Sequence, residues 1–377
     1  MVPPQITLPL FLVCGHLQVP PVATYAALCL WNYKPIFAGE PADNLGNLAC
    51  INTFTGSLDE QWFYLVSVAI ESRGAPSIEL MLDAIIAARS GNEEVVIDRL
   101  QRLAEILDAL GTVLQRMYEH CDPHVFYHQI RPYLAGSKNM GEAGLPRGLL
   151  YDDGFGNDEY RQYGGGSNAQ SSLIQFFDIV LGIEHRPTGV HNTDGEEEGQ
   201  TKSRNSFMHE MREYMPGSHR QFLEHVDTVA NIREFVASRR NAALSCAYDG
   251  CLAMLRALRD KHIQMVSRYI IVKSKEARST SPPKSSHRAK TSTPQKPPLR
   301  GTGGTALIPF LKQARDETNE PTVNEWARRL LRHAPVVESE SAATLSKVGE
   351  NLDGHLEVVG LAGTWRADES EGGICHW

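Results

Sequence analysis

A helical repeat runs through DGCLAMLRALRDKHIQMVSRYII, residues 249–271, and decides the fold class. Apolar side chains recur at the spacing of helical turns, which predicts an amphipathic helix with one buried stripe. His262 lies inside this stripe, and Arg259 lies about one turn before it on nearly the same face. Burying either side chain without a partner is unfavourable. The apolar positions are Leu252, Leu255, Leu258, Met265, Val266, Tyr269 and Ile270.

Two interpretations of His262 follow from this helix. In the first, His262 is a core histidine bonded to a carbonyl, and Arg259 extends its charged end to solvent. In the second, His262 binds a metal or a haem iron, and Arg259 lies near an anionic group. The helix alone favours the first interpretation. Support for the second interpretation has to come from the rest of the chain.

Composition restricts the class of protein. The chain has 377 residues, 42% of them hydrophobic and 22% charged, as in a soluble globular protein. A formal charge of −8 argues against a general nucleic-acid binder. Seven cysteines without a CxxC motif favour reduced thiols. The apolar N-terminus is interrupted by prolines and lacks a basic region, so we expect no signal peptide, no membrane span and a cytoplasmic location.

Helical periodicity continues along most of the chain, and no convincing period-2 run is present, so we predict an all-α fold. One helix with apolar residues nearly all round carries Phe63 and, one turn later, the small hydroxyl of Ser67. In a core such a serine usually bonds back to a carbonyl. Asp178 is a carboxylate inside another apolar helix and is expected to need an arginine partner.

Other possible sites are weaker. His120, His124 and His128 are spaced by four, but Pro123 interrupts the helix and no fourth ligand is near, so we do not predict a zinc site. GGGSNAQSS (164–172) lacks the lysine of a phosphate-binding loop, so we predict no nucleotide site. Pattern and composition alone therefore lead to an all-α cytosolic protein with a candidate buried histidine.

Several segments lack the apolar periodicity of a buried core. Residues 184–206 are polar with an acidic run, and we expect a flexible insertion. Residues 273–300 are rich in Pro, Ser and Lys and are predicted to be a basic flexible linker. Glycines reappear at the start of 301–320, where order resumes. The extension 321–377 contains one predicted helix, 323–331, and carries no predicted function.

Six motifs carry more information than periodicity. In chain order they are PPVATYAALCLWNY (20–33), WFYLVS (62–67), GGSNAQSSLIQFFDIVLGI (165–183), FMHEMREYMPGSHRQFL (207–223), LRDKHIQMVSRYI (258–270) and GTGGT (301–305). Together they resemble the indoleamine 2,3-dioxygenase family, whose members are haem enzymes that open the indole ring of tryptophan with O2. The resemblance covers roughly residues 5–315.

The resemblance implies a haem b cofactor and a set of residues around it. His262 would be the proximal ligand of the iron. Arg259 would reach a haem propionate and pair with Asp178. The residues expected to pack close to the haem and substrate are Gly165, Gly166 and Ser167.

It also implies a substrate site. Arg131 would clamp the substrate carboxylate as a bidentate fork, and Phe126 would stack near the indole. Thr302 would belong to a lid that closes over the substrate ammonium. No protein acid or base is assigned, so Ser67 is expected to act in positioning only. The wall of the distal pocket would be formed by Tyr25, Cys29, Phe63 and Ser67.

The expected reaction is insertion of O2 across the indole C2–C3 bond of L-tryptophan to give N-formyl-L-kynurenine. This would be the first step of tryptophan catabolism through kynurenine, towards NAD, with the iron in the ferrous state. The partners would be L-tryptophan or a related indoleamine and O2, without nucleic acid or membrane, and we expect a monomer.

Departures from the family leave two alternatives. The family has a small N-terminal helical domain, of which this chain is expected to retain a last part, residues 1–50, before a helical haem domain at 51–272. Absence of the rest of the small domain would make the protein a haem-binding but catalytically impaired homologue. A helical scaffold without a cofactor is the other alternative. Asn168 stands where a small alanine is common in the family, which would narrow or polarise the pocket.

Overall fold

Helices make up most of the described chain, and the predicted all-α fold class is confirmed. The computed structural model describes residues 1–138, 140–156, 159–188, 206–280, 301–302, 306–324, 327–328, 347–350, 356–360 and 363–366. None of the helices in these ranges is both long enough and apolar enough to cross a bilayer. The α-helices are α1 (Pro4–Leu17), α2 (Leu58–Gly74), α3 (Pro76–Arg89), α4 (Glu93–Gln115), α5 (Met117–His120), α6 (Pro123–Val125), α7 (Arg131–Leu134), α8 (Ser172–Val180), α9 (Ser206–Arg212), α10 (Gly217–Val229), α11 (Ile232–Ser238), α12 (Ala242–Val266), α13 (Lys273–Thr280) and α14 (Leu307–Glu317).

Short strands form three small antiparallel sheets. Each strand has three to five residues, too short for alternation to be visible in the sequence, which is why no strand is predicted above. The pairs are β1 (Tyr33–Pro35) with β2 (Leu48–Cys50), β3 (Leu149–Tyr151) with β4 (Glu159–Arg161), and β5 (Lys347–Glu350) with β6 (Leu356–Gly360), which also pairs with β7 (Gly363–Arg366).

The most extensive contact between helices joins α4 and α12, and α2 and α3 also pack on α4. Each of the two central helices begins at an asparagine cap. The Asn92 side chain accepts from the Val95 N–H at 3.3 Å, and that of Asn241 accepts from the Ala243 N–H at 2.9 Å. Burying one leucine stabilises the fold by about 2 kcal/mol. The fully buried leucines of this contact include Leu100, Leu103, Leu107, Leu110, Leu252 and Leu255.

The described residues contain three π-helical turns, and all three border one cavity. Their contributions include Cys29, Phe126 and Tyr269. A π-turn widens the helix by one residue and so re-aims side chains, and such turns are frequent at functional sites. The turns are Ala26–Leu30, Phe126–Ile130 and Ser267–Val272.

The N-terminal helix α1 differs from the sequence expectation, in which prolines break this segment. Pro4 occupies the first turn, where its missing N–H is tolerated, and the helix continues through Pro9. Backbone bonds hold the entry in place, since Val2 N–H donates to Leu150 O at 2.7 Å and Asp152 N–H donates to Val2 O at 3.1 Å. Tertiary anchoring thus overrides the local proline signal.

The predicted linker 273–300 also begins differently. Its first eight residues form α13, which continues directly from the π-turn after α12. Lys273 and Glu276 form an ion pair of 2.9 Å one turn apart. Residues 281–300 lie outside the described part, as does most of the predicted helix 323–331.

Candidate active site

A cavity of about 270 Å³ lies between α2, α12, α14 and the three π-turns. This size is near the lower end for small-molecule sites, and the lining is mostly apolar. All but two of the site residues named from the sequence border it. The predicted residues that line the cavity are Tyr25, Phe63, Ser67, Phe126, Arg131, Gly166, Ser167, Arg259, His262 and Thr302, together with Cys29 and Asn168. Gly165 and Asp178 lie behind this lining, in contact with Thr302 and Arg259.

His262 projects from the last turns of α12 and keeps partial exposure because it borders the cavity. Desolvation, and to a smaller extent the charge of Arg259, lower the pKa of His262 to about 4. The imidazole is therefore neutral near pH 7 and has a lone pair available for a ligand. No hydrogen bond to its ring is found among the described residues.

Arg259 lies one turn before His262 and is held on three sides. Its Nη2 donates to Asp178 Oδ1 at 2.5 Å, and its Nη1 donates to Ala314 O at 3.1 Å and to the Thr318 hydroxyl. Burial would raise the pKa of Asp178, but the guanidinium lowers it, so the carboxylate stays ionised. The arginine partner expected for Asp178 is present.

His185 is an unpredicted member of this cluster and also borders the cavity. Its Nε2 lies 3.1 Å from Asp178 Oδ2 and its Nδ1 lies 2.7 Å from Glu317 Oε2. An ionised carboxylate only accepts, so the ring has to donate from both nitrogens and carry a positive charge. His185 lies at the start of the segment 184–206 that is expected to be a flexible insertion, and its side chain is buried between two carboxylates. Residues 189–205 lie outside the described part.

Replacing His185 by glutamine is expected to lower the free energy of unfolding by about 2 kcal/mol near about pH 6. Burial lowers the pKa of His185, but Asp178 and Glu317 raise it above its usual value on balance. The contribution of His185 is therefore fully present below its unfolded pKa of about 6.5 and is lost as pH rises through the folded pKa. Asp178 has a lowered pKa in the folded protein, so its contribution to stability is present above about pH 3.9 and is lost as pH falls through the folded pKa.

Denaturant unfolding of the wild type and the His185→Gln variant across this pH range measures the difference. His225→Gln, an exposed histidine on α10, is the matched control and should change little at any pH. A difference between wild type and His185→Gln that does not vary with pH would contradict the charged state assigned to His185.

Three aromatic rings and a cation form another part of the lining. The rings of Phe63 and Phe126 lie 4.8 Å apart between centroids, and Tyr269 lies 5.6 Å from Phe126. The Arg131 guanidinium lies 5.5 Å from the centroid of the Tyr127 ring and borders the cavity. Desolvation lowers the pKa of Arg131, although it remains a cation. A cation at the edge of an apolar cavity is suited to binding a carboxylate.

Ser67 lies on α2 and interacts with the Tyr25 phenol and the Cys29 thiol. The Tyr25 phenol in turn donates to Glu71 Oε1 at 2.9 Å. Glu71 was not singled out from the sequence. Its signal is that an acid follows Ser67 by one helical turn in an otherwise apolar stretch.

The glycine run and Thr302 meet beside the cavity. Thr302 donates through its hydroxyl to Gly166 O at 2.7 Å, and Gly165 N–H donates to Thr302 O at 3.0 Å. A Cβ on Gly166 would lie 2.6 Å from Leu28 Cδ1. A Cβ on Gly165 would lie 1.8 Å from Leu134 O. Gly165 therefore requires glycine because backbone atoms approach it too closely, whereas the end of the Leu28 side chain beside Gly166 can shift.

Gly165→Ala is expected to destabilise the protein by more than about 3 kcal/mol, the upper end of usual overpacking effects. The clash is with backbone, which cannot rotate away as a side chain can. Gly250→Ala on α12 is the matched control, since a Cβ there meets nothing within 4 Å, and alanine should stabilise the helix slightly. Thermal or denaturant unfolding checks both variants. Equal stability of the two variants would contradict the packing described for Gly165.

These features define a helical protein with a deep, mostly apolar ligand cavity, a neutral histidine on one helix and an arginine elsewhere in the lining. The model of the indoleamine 2,3-dioxygenase family matches residues 1–321. The chain belongs to the indoleamine 2,3-dioxygenase family.

Individual relatives agree with this assignment. The chain is 42% identical over 340 residues to an indoleamine 2,3-dioxygenase of Saccharomyces cerevisiae, covering 84% of this chain and 72% of the relative. It is 36% identical over 328 residues to a 6-hydroxytryptophan 2,3-dioxygenase of Fusarium equiseti, covering 84% and 76%. It is 33% identical over 322 residues to indoleamine 2,3-dioxygenase 2 of Homo sapiens, covering 85% and 72%.

Proposed function

We propose that this chain is a haem-dependent dioxygenase that inserts both atoms of O2 across the indole C2–C3 bond of L-tryptophan, giving N-formyl-L-kynurenine. The observation that carries the proposal is the neutral His262 imidazole facing an apolar cavity that also contains Arg131. Relatives named for indoleamine and for 6-hydroxytryptophan support an indole amino acid as the substrate class.

The donor set fits haem better than a bare metal ion. A protein site for a bare transition metal needs three or four side-chain ligands, and the described residues contain no group of three His, Cys, Asp or Glu placed to hold a metal ion. A single axial histidine suffices when a macrocycle supplies the other ligands. Arg259, on the same helix as His262, and His185 are two cations that border the cavity. They are suited to pairing with the acidic groups at the edge of a haem. Haem, when bound, supplies a ferrous iron with a position open to O2.

The remaining work belongs to the residues of the chain. Arg131 binds the substrate carboxylate, and Phe63 and Phe126 hold the indole plane. The apolar lining keeps water out, so the reaction needs no protein acid or base. Thr302 and the residues after it close over the ammonium, and the contact of Thr302 with Gly166 supports this role.

We further propose that residues 51–272 form the haem domain, closed by 301–320. The reaction would start tryptophan breakdown through kynurenine, towards NAD. Reducing surroundings such as the cytoplasm are supported by the six cysteines of the described residues, which are free thiols.

A comparison of L-tryptophan with tryptamine, which lacks the carboxylate, tests the substrate assignment. L-tryptophan is expected to be preferred in kcat/KM by at least about thirtyfold, because tryptamine offers no carboxylate to the Arg131 guanidinium. Chromatography of the formylkynurenine-type products of the haem-loaded protein gives both rates. Equal turnover of the two compounds would contradict the role of Arg131, and no turnover of either would contradict the proposed function.

A further inference from the structure

Glu71 joins three separate segments behind the cavity wall. Its Oε1 accepts from the Tyr25 phenol at 2.9 Å and from the Ser171 hydroxyl at 2.6 Å. Tyr25 begins the first π-turn, Ser171 caps α8, and Glu71 lies on α2 one turn after Ser67. Tyr25, Ser67 and Ser171 border the cavity, whereas Glu71 does not.

The direction of these hydrogen bonds follows from the chemistry of the carboxylate. Both hydrogen bonds end on Glu71 Oε1, so Tyr25 and Ser171 each donate their single proton to it. Burial raises the pKa of Glu71, and these two hydrogen bonds oppose that rise. With their protons committed, Tyr25 and Ser171 present lone pairs, not protons, towards the cavity.

We propose that Glu71 is a positioning residue that turns this wall into a hydrogen-bond acceptor surface, selective for a substrate that offers an N–H there. This rests on the proposed function, in which Arg131 takes the carboxylate and Thr302 closes over the ammonium. The remaining donor of an indole amino acid is the ring N–H. Glu71 therefore acts through Tyr25 and Ser171 and favours indoles over isosteres that lack the N–H.

The test compares L-tryptophan with its oxygen isostere, 3-(benzofuran-3-yl)alanine, in which the ring N–H is replaced by an ether oxygen. Kd is measured by calorimetry on the haem-loaded protein without reductant, so no turnover is needed. The wild type is expected to bind L-tryptophan more tightly. In Glu71→Gln, whose amide can donate as well as accept, the preference is expected to fall about tenfold, the size of one hydrogen bond.

Matched variants separate positioning from general structure. Glu79→Gln, an exposed acid on α3, should keep the wild-type preference. Tyr25→Phe removes the hydroxyl that connects Glu71 to the cavity and should lose the preference for L-tryptophan as Glu71→Gln does. If Glu71→Gln fails to fold, Tyr25→Phe provides the test. A preference that stays at the wild-type value in the folded variant, with both ligands weakened equally, would overturn the proposal. Failure of the wild type to turn over tryptophan would instead count against the proposed function, which this ratio does not measure.

Discussion

Replacing His262 by alanine is expected to remove haem binding and tryptophan turnover together while the helical fold persists. His262 is the neutral imidazole at the cavity, and no cluster of three metal-ligating side chains in the described residues stands in for it. The loss of activity should exceed about a hundredfold, the upper end for residues that only support a ligand. Removing a partly buried ring from the wall of a cavity leaves little packing defect, so far-UV circular dichroism should be close to that of the wild type.

The measurement is the Soret absorption of the reduced protein with carbon monoxide after haem-supplemented expression. His225→Ala on the exposed side of α10 is the control and should retain the wild-type spectrum. Added imidazole should restore part of the band in a His262→Gly variant, because it can occupy the space of the missing side chain. A His262→Ala protein with normal haem content and turnover would show that another residue holds the iron.

Replacing Arg131 by alanine is expected to lower kcat/KM for L-tryptophan by about a hundredfold or more while haem content stays unchanged. The guanidinium borders the apolar cavity, where a charge pair is strong and a substrate carboxylate without a partner is strongly disfavoured. The Arg131 side chain lies on α7, away from the α12 residue proposed to hold the iron. The two variants therefore separate substrate binding from cofactor binding.

Arg131→Lys refines this prediction. Lysine keeps the charge but not the two parallel donors, so activity should lie between those of the wild type and the alanine variant. Arg147→Ala, which removes an arginine stacked on Tyr160 outside the cavity, is the control for loss of a cation. Kinetics on haem-matched samples check all three. An Arg131→Ala protein with an unchanged kcat/KM would place the substrate carboxylate elsewhere.

Local patterns were enough to predict the helical class and part of the site. The stripe of α12 placed His262 on a core face, and the carboxylate of Asp178 in an apolar helix indicated a basic partner, which is Arg259. Ser171 caps α8 by accepting a hydrogen bond from Ile174 N–H. These features depend on neighbours within a turn or two, which a single sequence displays.

Other features depend on contacts between distant segments and leave no local signal. His185 is held by Glu317, which lies more than a hundred residues further along the chain. The polar sequence around His185 therefore gives no sign of this contact. Glu71 gains its role only because Tyr25 and Ser171 meet it in space. The π-turns and the three-residue strands are likewise products of packing, because their sequences differ little from ordinary helix or loop.

Labelled oxygen tests the central claim most directly. The haem-loaded chain is reduced, supplied with L-tryptophan and exposed to a mixture of unlabelled and doubly labelled O2. The mass of the product is then measured by mass spectrometry before its formyl oxygen exchanges with water. A dioxygenase predicts N-formylkynurenine that carries either two labelled oxygen atoms or two unlabelled ones, with no mixed product. A product with one labelled atom, or no product from a fully haem-loaded protein, would contradict the account.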